Sequence, residues 1–543
     1  MPARWSMRVL MLREGAVLLE LASLDVTLAL FDALEADPVA GVLEIVPAAR
    51  TLLITHDPLT ISAEQVAAEA VVRLGMPRKA GMAKVVEIPV RYDGEDLADV
   101  AELLGISTHE VIRRHVEADY LVAFPGFAPG FAYLSAPDAG LHVPRRASPR
   151  THVPAGAVGL AGEFSGIYPK VSPGGWQLIG TTPLAMFDLG RKPAALLQPG
   201  QHVRFRDMAG ATVHPGAKIP AEVAKPAAAA LEDRIEGLYL DVLSAGLPAL
   251  FQDHGRPGLA AQGISRSGAA DRASLSLANR ITGNPADAAA LELAPAVFTF
   301  RVSGRAVIAV TGAERAITIQ PERGPRISGA MNRPLALEPG DRVTLEAPKA
   351  GLRSYLALRG GFAVEPVLGS ASADTLAQIG PAAVTSGARL RAASGMKLSA
   401  VEPEALSAFA MPRAGETIVL DVVPGPRTDW FTPVSAEQFL TVSWAATSQA
   451  SRTGLRLSGP VLERAVTGEL PSEGTLRGAI QVPANGQPVL FLADHPLTGG
   501  YPVMATVAAH HLDLAGQIPP GAFIRFRAVR PFTAYSLCAG DTP

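Results

Sequence analysis

The chain has 543 residues, 48% of them hydrophobic, and its 48 Lys and Arg residues nearly balance its 51 Asp and Glu residues to a formal net charge of −3. This length and hydrophobicity exclude a disordered chain and predict roughly three to four domains, each with its own core. The balanced charges provide neither a basic surface for nucleic acid nor a polybasic membrane patch, so neither partner is expected.

Membrane and secretory signals are not evident in the sequence. One of the two longest stretches without Asp, Glu, Lys or Arg, 495–512, contains Pro and Gly residues that do not suit a lipid-facing helix. The apolar run Val9–Leu12 is cut off by Arg13 and Glu14, well short of a signal-peptide core. The single cysteine, Cys538, excludes an intramolecular disulfide and a cysteine-ligated zinc site. We therefore expect a cytoplasmic protein.

Many short strands and few helices are predicted along the chain. The 52 Gly and 46 Pro residues predict frequent tight turns. Between the turns lie runs of β-branched residues that are typical of strands: Val85–Val90, Val203–Phe205, Val307–Val310, Ile418–Val423 and Val489–Leu492. Caps and apolar spacing predict three helices: 64–74 after Ser62, 108–118 after Ser107, and 269–282 before Gly283.

A turn-plus-strand phrase occurs three times, at 199–205, 339–345 and 520–526. Each copy is Pro-Gly, two residues and an alternating strand, which is typical of a turn that feeds an edge or closing strand of a barrel. A second repeat is a Val-Pro-Ala motif followed by a Gly-Gly-aromatic motif. It occurs first as Val153-Pro154-Ala155 and Gly174-Gly175-Trp176, and again as Val482-Pro483-Ala484 and Gly499-Gly500-Tyr501. The repeats predict three similar β units.

The chain is predicted to divide into five segments. An Ala- and Pro-rich stretch is typical of a semi-rigid linker, and a strand, helix, strand, helix pattern at the N-terminus predicts a small α+β unit. The predicted segments are 1–84, a small α+β domain; 85–213, a β-barrel; 214–236, the linker; 237–400, the first β-barrel subdomain of the second half; and 401–543, the second β-barrel subdomain.

Several common functional motifs are excluded. Phosphate-loop, dinucleotide-binding, zincin and nucleophile-elbow motifs do not occur. The helical pair at 96–118 superficially resembles a DNA-binding motif, but its acidic residues would repel phosphates, so we interpret it as a structural hairpin. His510 and His511 would point to opposite faces of a strand, so no metal site is predicted there.

Patches rich in Gly, Pro, Arg and aromatic residues, at 124–131, 144–150 and 252–258, carry the remaining candidates. Glycines let a backbone approach a ligand, and Arg145, Arg146 and Arg256 could grip a carboxylate or a phosphate. Ion-paired loop arginines and an aromatic turn packed in a core would explain the same residues. Asp494, with His495, precedes the Gly499-Gly500-Tyr501 turn and is an acid/base candidate.

These motifs resemble two families that normally form separate subunits. Segments 124–134, 144–156 and 166–180 are similar to the family called allophanate hydrolase subunit 1, the B subunit of 5-oxoprolinase or the sporulation-kinase inhibitor. Segments 251–258, 267–280, 359–370, 472–483 and 498–502 resemble the companion family, called allophanate hydrolase subunit 2 or the C subunit of 5-oxoprolinase. The resemblance covers nearly the whole chain and identifies it as a fusion of the two families.

The resemblance implies a mainly β fold with α+β elements, in which cyclophilin-like β-barrel units follow the small N-terminal α+β domain. It also implies ATP-dependent opening of 5-oxoproline to glutamate, with ATP and Mg²⁺ as cofactors and no covalent cofactor on this chain. The expected partners are a small amide or lactam substrate and a separate third protein, the A subunit of 5-oxoprolinase; a homo-oligomer is also compatible.

Site residues follow from the resemblance in the same way. Asp253 or Asp494 would hold the metal or polarise the substrate, and Tyr501 would close the catalytic site. Contacts to substrate or nucleotide are expected from Arg145, Arg146, Pro154, Gly156, Arg256, Gln481, Gly499 and Gly500, with no dedicated metal ligand. The sequence departs from the family pattern at Phe164, Ala270 and Ser451-Arg452-Thr453-Gly454, which leaves the substrate open.

Two other functions stay open on sequence grounds. The same domain pair forms the carboxyltransferase part of urea carboxylase, but no Met-Lys-Met or Val-Lys-Met biotin-accepting sequence occurs, so biotin would arrive on another chain. A kinase-inhibiting regulatory protein would need the surface of the family but no turnover.

Overall fold

The computed structural model describes residues 5–76, 85–209, 237–468 and 470–539. The chain is mostly β, with 37% of residues in strands and 16% in helices, which confirms the predicted fold class. The predicted linker 214–236 lies outside the described residues. Within them, no helix is both long and apolar enough to cross a membrane.

The N-terminal unit (5–76) is a sheet covered by two helices on one face. Its elements are β1 (Ser6–Arg13), β2 (Ala16–Leu21), α1 (Leu24–Ala36), β3 (Val42–Pro47), β4 (Thr51–His56) and α2 (Ala63–Arg73). The predicted capping box of Ser62 and Gln65 opens α2. Both strands of the predicted strand-helix-strand-helix pattern are hairpins in the structure, β1 with β2 and β3 with β4. In the first hairpin, Gly15, with φ +74°, reverses the chain between the two strands.

The first barrel (85–209) is built on one seven-stranded sheet. Its elements are β5 (Val85–Val90), α3 (Leu97–Leu104), α4 (Thr108–Glu117), β6 (Tyr120–Pro125), β7 (Ala132–Ser135), β8 (Arg150–Val153), β9 (Ala157–Ala161), β10 (Phe164–Ile167), β11 (Ser172–Gly174), β12 (Gln177–Thr181) and β13 (His202–Asp207). The strand order is β12-β9-β10-β7-β6-β13-β5. Arg91, just after β5, exchanges two 2.8 Å backbone hydrogen bonds with Thr181 of β12, which brings the sheet edges together.

The central unit (237–400) consists of two sheets around one core, with a helix outside. Its elements are β14 (Tyr239–Ala245), β15 (Leu250–Gln252), α5 (Arg272–Thr282), β16 (Ala290–Leu293), β17 (Phe298–Val302), β18 (Ala306–Glu314), β19 (Ile317–Gln320), β20 (Ile327–Gly329), β21 (Leu335–Leu337), β22 (Arg342–Leu345), β23 (Ala350–Leu358) and β24 (Arg389–Arg391). Phe300, Ile308, Val343 and Leu356 join both sheets in the core. Helix α5 starts three residues later than predicted because Asp271 is its N-cap, accepting from Ser274 N–H (2.9 Å).

The C-terminal barrel (401–528) closes completely. Its elements, together with the last strand of the chain, are β25 (Thr417–Pro424), α6 (Pro433–Thr441), β26 (Trp444–Ala450), β27 (Gly454–Ser458), β28 (Glu473–Gly474), β29 (Ala479–Gln481), β30 (Val489–Phe491), β31 (Thr498–Gly499), β32 (Val503–Val507), α7 (Leu512–Ala515), β33 (Phe523–Ala528) and β34 (Thr533–Cys538). The order around the barrel is β25-β32-β29-β30-β27-β26-β33.

The two barrels share one closing device, which the repeated turn phrase predicted. The turns at 199–200 and 520–521 lead into β13 and β33, and each of these strands pairs in parallel with the first strand of its barrel. The third copy of the phrase leads into β22, which lies between β17 and β19 inside a sheet. The prediction of an edge or closing strand is therefore wrong for that copy.

The last strand joins the chain ends. β34 pairs antiparallel with β1 and completes the sheet order β3-β4-β2-β1-β34, so a strand of the predicted segment 401–543 lies in the sheet of the N-terminal unit. The other face of that sheet packs on the C-terminal barrel, where Leu10 and Leu53 meet Phe491 and Leu497. The sheet of the N-terminal unit thus lies between the helices α1 and α2 on one face and the C-terminal barrel on the other.

Candidate functional site

Asp494, three residues after β30, is fully buried where the central unit meets the C-terminal barrel. Its Oδ1 accepts from Ser267 Oγ (2.6 Å) and Arg452 Nη2 (3.0 Å). Its Oδ2 accepts from the N–H and hydroxyl of Thr375 (both 2.8 Å) and from Arg452 Nε (2.9 Å). Burial acts to raise the pKa of Asp494, but the Arg452 guanidinium holds it below its usual value. The carboxylate joins two units, and both of its oxygens are saturated.

Arg452 is the centre of a wider buried network. It also donates to Glu292 Oε1 and to the carbonyl of Gly268 (2.6 Å). Glu292 in turn accepts from the Tyr355 hydroxyl (2.8 Å). Arg452 and Gly454 are the two residues of the segment Ser451-Arg452-Thr453-Gly454 that agree with the Asp-Arg-Met-Gly pattern usual in the family. The departure therefore spares the side chain that makes these contacts.

Asp253 organises two loops of the central unit. Its Oδ1 accepts from Gly255 N–H (2.7 Å), Ser370 Oγ (2.6 Å) and Ser372 Oγ (2.6 Å), and its Oδ2 accepts from Ala371 N–H (2.6 Å). Burial acts to raise the pKa of Asp253, but these hydrogen bonds lower it overall. The carboxylate is ionised and already nearly filled with donors, so it fixes the 252–258 motif against the loop at 370–372.

Arg256 is a buried guanidinium with unused donors. Only 2% of the residue is exposed, and its Nη2 donates to the carbonyl of Ser372. Its Nε and Nη1 are buried and have no hydrogen-bond partner among the described residues. Burial lowers the pKa of Arg256, and the carboxylates of Asp374, Asp253 and Asp494 partly oppose this. The positive charge of Arg256 is therefore offset by three nearby carboxylates and not by a direct ion pair among the described residues.

The adjacent arginines Arg145 and Arg146 have different surroundings. Arg146 Nη1 contacts Asp96 Oδ1 (2.5 Å), and Arg150 Nη2 contacts the same oxygen (2.7 Å). Asp96 is 2% exposed and links these arginines to the start of α3. Arg145 is exposed and lies near the buried ring of Tyr133. Arg146 is thus held within the first barrel, whereas Arg145 faces solvent.

The Gly499-Gly500-Tyr501 turn lies at the surface. Gln481 Nε2 donates to the carbonyl of Tyr501 (2.9 Å), and a Cβ on Gly499 would lie 2.7 Å from the same nitrogen. Tyr501 is 47% exposed, with the Arg464 guanidinium 5.9 Å from its ring centre. Gln481 therefore supports the shape of the turn, and its amide would have to shift to admit a side chain at 499.

The turn at Pro154 and Gly156 is shaped by the first barrel. Gly156 has φ +81°, and a Cβ there would lie 2.4 Å from the carbonyl oxygen of Thr182. Its N–H donates to the carbonyl of Tyr168 (2.8 Å). Pro154 is exposed. The packing of the barrel alone requires glycine at 156.

A cavity of about 290 Å³ lies where the N-terminal unit, the central unit and the C-terminal barrel meet; His495, predicted together with Asp494, is in its wall, whereas Asp494, Asp253 and Tyr501 are not. Ser267, the donor to Asp494, is part of its wall. Four arginines also line it, one from β1, two from the segment that enters α5 and one from the segment before β29: Arg13, Arg266, Arg272 and Arg477. Such a concentration of positive charge suits an anionic ligand.

The electrostatics of the cavity follow from burial and from repulsion between like charges. Burial first, and Arg477 second, lower the pKa of Arg13 to about 10. Burial, with Arg477 and Arg266, lowers the pKa of Arg272 to about 9. His495, also in the wall, has its pKa lowered to about 4 by burial and is neutral at pH 7. The arginines therefore carry positive charge into a wall that also contains the acids Glu14 and Glu44.

Sequence reasoning missed this cavity because its arginines come from distant segments. In the sequence, Arg13 only ends an apolar run, and Arg266 and Arg272 flank a motif that stands out for its glycine and serine. Each arginine alone is an ordinary charged residue. The one available signal was the position of Arg13 at the end of an apolar strand, because a charged residue there lies next to buried residues.

His510 and His511 lie differently from the prediction. They are in a 3-10 helix rather than a strand, and both rings face Asp421. The prediction that the two histidines point to opposite faces of a strand is therefore wrong. His511 Nδ1 accepts the N–H of Asp421 (2.9 Å), and Arg527 Nε donates to Asp421 Oδ1 (2.6 Å). These hydrogen bonds occupy His511 Nδ1 and Asp421 Oδ1, and His510 Nε2 lies 2.9 Å from Asp421 Oδ2.

Comparisons with known proteins match both halves of the chain. The carboxyltransferase domain, subdomains A and B, matches residues 262–528, and subdomains C and D of the same domain match residues 7–197. The C subunit of 5-oxoprolinase from Escherichia coli (strain K12) is 34% identical over 290 residues, which are 53% of this chain and 90% of that protein. The B subunit of 5-oxoprolinase from Bacillus subtilis (strain 168) is 40% identical over 190 residues, 32% of this chain and 78% of that protein.

Two further similarities concern the joined arrangement and the alternative activity. The crystal structure of TTHA0988 is 34% identical and superposes with a TM-score of 0.80, covering 94% of this chain and 99% of that chain. Urea amidolyase of Lachancea kluyveri is 30% identical over 314 residues, 53% of this chain but 17% of that protein. The whole arrangement of units thus recurs in one solved chain, whereas urea amidolyase shares one part.

Proposed function

Because the chain belongs to the carboxyltransferase-domain family and joins counterparts of the B and C subunits of 5-oxoprolinase in one polypeptide, we propose that it is the fused B/C component of an ATP-dependent 5-oxoprolinase. The proposed activity is the opening of 5-oxoproline to glutamate together with a separate third subunit. One observation carries the proposal: the chain contains both counterparts, each matched over most of the relative's length.

The packing of the two halves supports a joint role. Arg427 of the C-terminal barrel pairs with Glu20 of the N-terminal unit (3.1 Å). Lys170 of the first barrel donates to the carbonyl of Leu376 in the central unit (2.9 Å). The arginine-lined cavity takes residues from both halves, so it exists only when they are assembled. Two subunits that share such a site gain from being one chain, because the effective concentration of each half is high.

The structure supports only part of the expected site chemistry. An ionised carboxylate offers about four acceptor positions, and the donors around Asp494 and Asp253 occupy nearly all of them. Mg²⁺ prefers near-octahedral oxygen coordination, so these two carboxylates, as arranged, do not fit the ion. These two carboxylates therefore have no part in Mg²⁺ or ATP chemistry in this proposal, and we propose that the nucleotide site lies elsewhere in the assembled complex.

A reconstitution assay tests the proposed activity. The purified chain and a separately purified third subunit would be mixed with 5-oxoproline and ATP, with ADP release and glutamate formation both measured. We expect 5-oxoproline-dependent turnover only when both proteins are present. Co-elution of the two proteins on size exclusion tests the proposed partner independently. Absence of glutamate with an active third subunit would contradict the proposal.

A second candidate is carboxyl transfer from biotin to urea or a related amide. It is favoured by the similarity to urea amidolyase and by the carboxyltransferase description of the family. The same preparation would be given a carboxylated biotin carrier and urea, and loss of the carboxyl group from biotin would be followed. Urea-dependent loss in the absence of any 5-oxoproline turnover would favour this activity over the first.

A further inference from the structure

We propose that the cavity lined by Arg13, Arg266, Arg272 and Arg477 is a binding site for a small oxyanion, a carboxylate or a phosphate. The inference does not rest on the proposed function, because an anion can occupy this cavity whichever reaction the chain takes part in. It rests on three features of the cavity: three arginines with no carboxylate of the described residues in direct contact, donors without acceptors, and the size and apolar part of the wall.

Three of the four arginines have no carboxylate partner. Arg13 donates to the carbonyl of Glu14 (3.5 Å), Arg266 to that of His254 (3.2 Å) and Arg272 to that of Ser267 (3.4 Å). Among the described residues, none of the three lies within 4.0 Å of an acidic oxygen. Main-chain carbonyls accept hydrogen bonds but do not neutralise a charge. Such charges are normally paired when they are taken out of water, so an anion is the missing element.

Three acids lie near the cavity: Glu14 and Glu44 in its wall, of which Glu14 is exposed to solvent, and Asp513 beside Arg477. Asp513 accepts from Arg477 Nη2 (3.0 Å) and from the N–H groups of Arg272 and Ala273 (both 3.1 Å), the first two residues of α5. Glu44 accepts from the N–H of Gly258 (3.1 Å), on a loop of the central unit. These carboxylates fix backbone segments and offset only part of the positive charge.

Unused donors point to the same conclusion. The Nε–H groups of Arg13, Arg272 and Arg477 are buried and have no acceptor among the described residues. Buried donors are normally satisfied, and a guanidinium binds a carboxylate or phosphate through parallel N–H groups that include Nε. A bound oxyanion would give these groups acceptors after small side-chain rotations.

The volume and the rest of the wall restrict the ligand. About 290 Å³ corresponds to about ten water-sized groups, which suits a small organic acid or inorganic phosphate and is small for an intact nucleotide. The wall also contains aliphatic side chains from the N-terminal unit and the C-terminal barrel: Leu43, Val46, Leu53, Leu476 and Leu497. A compact apolar body that carries one carboxylate fits this combination.

Calorimetric titration of the full chain tests the site with three probes at constant ionic strength. 5-Oxoproline supplies a carboxylate on a lactam, 2-pyrrolidinone is the same lactam without the carboxylate, and inorganic phosphate supplies the other oxyanion. We expect saturable binding of 5-oxoproline or phosphate and none of 2-pyrrolidinone. Binding of 5-oxoproline alone identifies an organic carboxylate as the ligand, binding of phosphate alone identifies phosphate, and mutual competition identifies one shared oxyanion position.

Charge-removing variants locate the binding. Arg13→Gln and Arg272→Gln should each weaken anion binding at least tenfold. The matched control Arg305→Gln, an exposed arginine paired with Glu338 (3.0 Å) in the central unit, should bind as the wild type does. Without ligand, the two cavity variants should melt at or above the wild-type temperature, because each relieves like-charge repulsion. A purely structural role of these arginines predicts a lower melting temperature instead.

Two results would overturn the proposal. One is the absence of saturable binding of either anion to the wild-type chain up to about 10 mM, which corresponds to about −3 kcal/mol. The other is binding that Arg13→Gln and Arg272→Gln leave unchanged, since the anion would then lie elsewhere. If a variant fails to fold, the wild-type melting temperature decides: phosphate or 5-oxoproline must raise it more than sodium chloride of equal ionic strength.

Discussion

The carboxylate of Asp494 has two competing explanations, a catalytic acid/base group and a structural link between two units. Its donors come from Ser267 and Thr375 on one side and Arg452 on the other, and the side chain is fully buried. A general base needs a lone pair that faces the substrate, whereas every acceptor position here meets a protein donor. The geometry therefore favours the structural explanation.

Asp494→Asn should lower stability rather than only turnover. The amide cannot accept from Arg452 as the carboxylate does, and breaking a buried ion pair typically costs about 3 kcal/mol. Chemical denaturation would measure the loss, with Asp241→Asn at the exposed pair with Arg389 (2.7 Å) as the control that should cost less than about 1 kcal/mol. A variant of normal stability that turns over at least about 100-fold more slowly would instead establish the catalytic role.

Gly156→Ala tests whether a predicted ligand-binding glycine is required by packing. The added Cβ would lie 2.4 Å from the carbonyl oxygen of Thr182 at φ +81°, so we expect a loss of about 2 kcal/mol or more. Gly105→Ala is the matched control, because Gly105 has φ +65° and open space around its Cβ position, and should cost only about 1 kcal/mol. Equal melting temperatures for the two variants would show that crowding at Gly156 is not limiting.

Asp271 should make stability fall as the pH rises. Burial first, and Asp513 second, raise the pKa of Asp271 to about 6, while its unfolded value is about 4. The folded state therefore binds more protons in this interval, and the stability that the protonated group contributes below pH 4 is lost by about pH 6. Urea denaturation at several pH values would show a smaller fall in Asp271→Asn; an unchanged slope would assign the effect to another group.

Among the elements of the fold, strand β34 has the most unusual position. It leaves the C-terminal barrel and pairs with β1 from Ser6 opposite Cys538 to Met11 opposite Thr533. Tyr535 and Leu537 pack on the core of the N-terminal unit. The strand thus protects the edge of β1, which would otherwise present unpaired backbone groups.

Removal of residues 532–543 should destabilise the N-terminal unit selectively. Loss of the ladder and of two partly buried side chains should cost about 2–4 kcal/mol there. Hydrogen exchange of β1 amides would report the loss, and a chain shortened only by residues 540–543 is the control. Equal protection of β1 in both shortened chains would contradict the assigned role of the strand.

An interface made of a strand ladder, an ion pair and apolar packing joins the two halves of the chain. The β1–β34 ladder, the Arg427–Glu20 pair and the packing of Leu10 and Leu53 on the C-terminal barrel all cross from one half to the other. An interface with these elements should exceed the roughly 1,000 Å² that stable association needs. Association of the halves should therefore not depend on the covalent connection.

Cleavage at a protease site inserted within 214–230 should leave the two fragments together. Size exclusion after cleavage is expected to give a single peak of unchanged elution volume, and the arginine-lined cavity should keep its ligand affinity. The same cleavage in a chain that lacks residues 532–543 is the comparison, since loss of the ladder weakens the interface. Separate elution of the wild-type fragments would contradict the interface described here.

The sequence by itself determined the local structure and the family. Caps at Ser62 and Ser107 located the starts of α2 and α4 because a cap acts through hydrogen bonds within one turn. The Pro-Gly phrases located two closing strands, and the β-branched runs at 85–90 and 418–423 became β5 and most of β25. The motifs identified both families, which the comparisons confirm.

Only the tertiary structure decided which charges are paired and which face a cavity. Asp494 meets Ser267 across 227 residues of chain and Arg452 across 42, and Arg13 meets Arg272 and Arg477 across hundreds, so no spacing in the sequence could place them together. The exchange of β34 into the N-terminal sheet is equally invisible, because strand pairing between distant segments leaves no local pattern. Local rules depend on neighbours along the chain, whereas a site built from arginines of three distant segments depends on the packing of whole units.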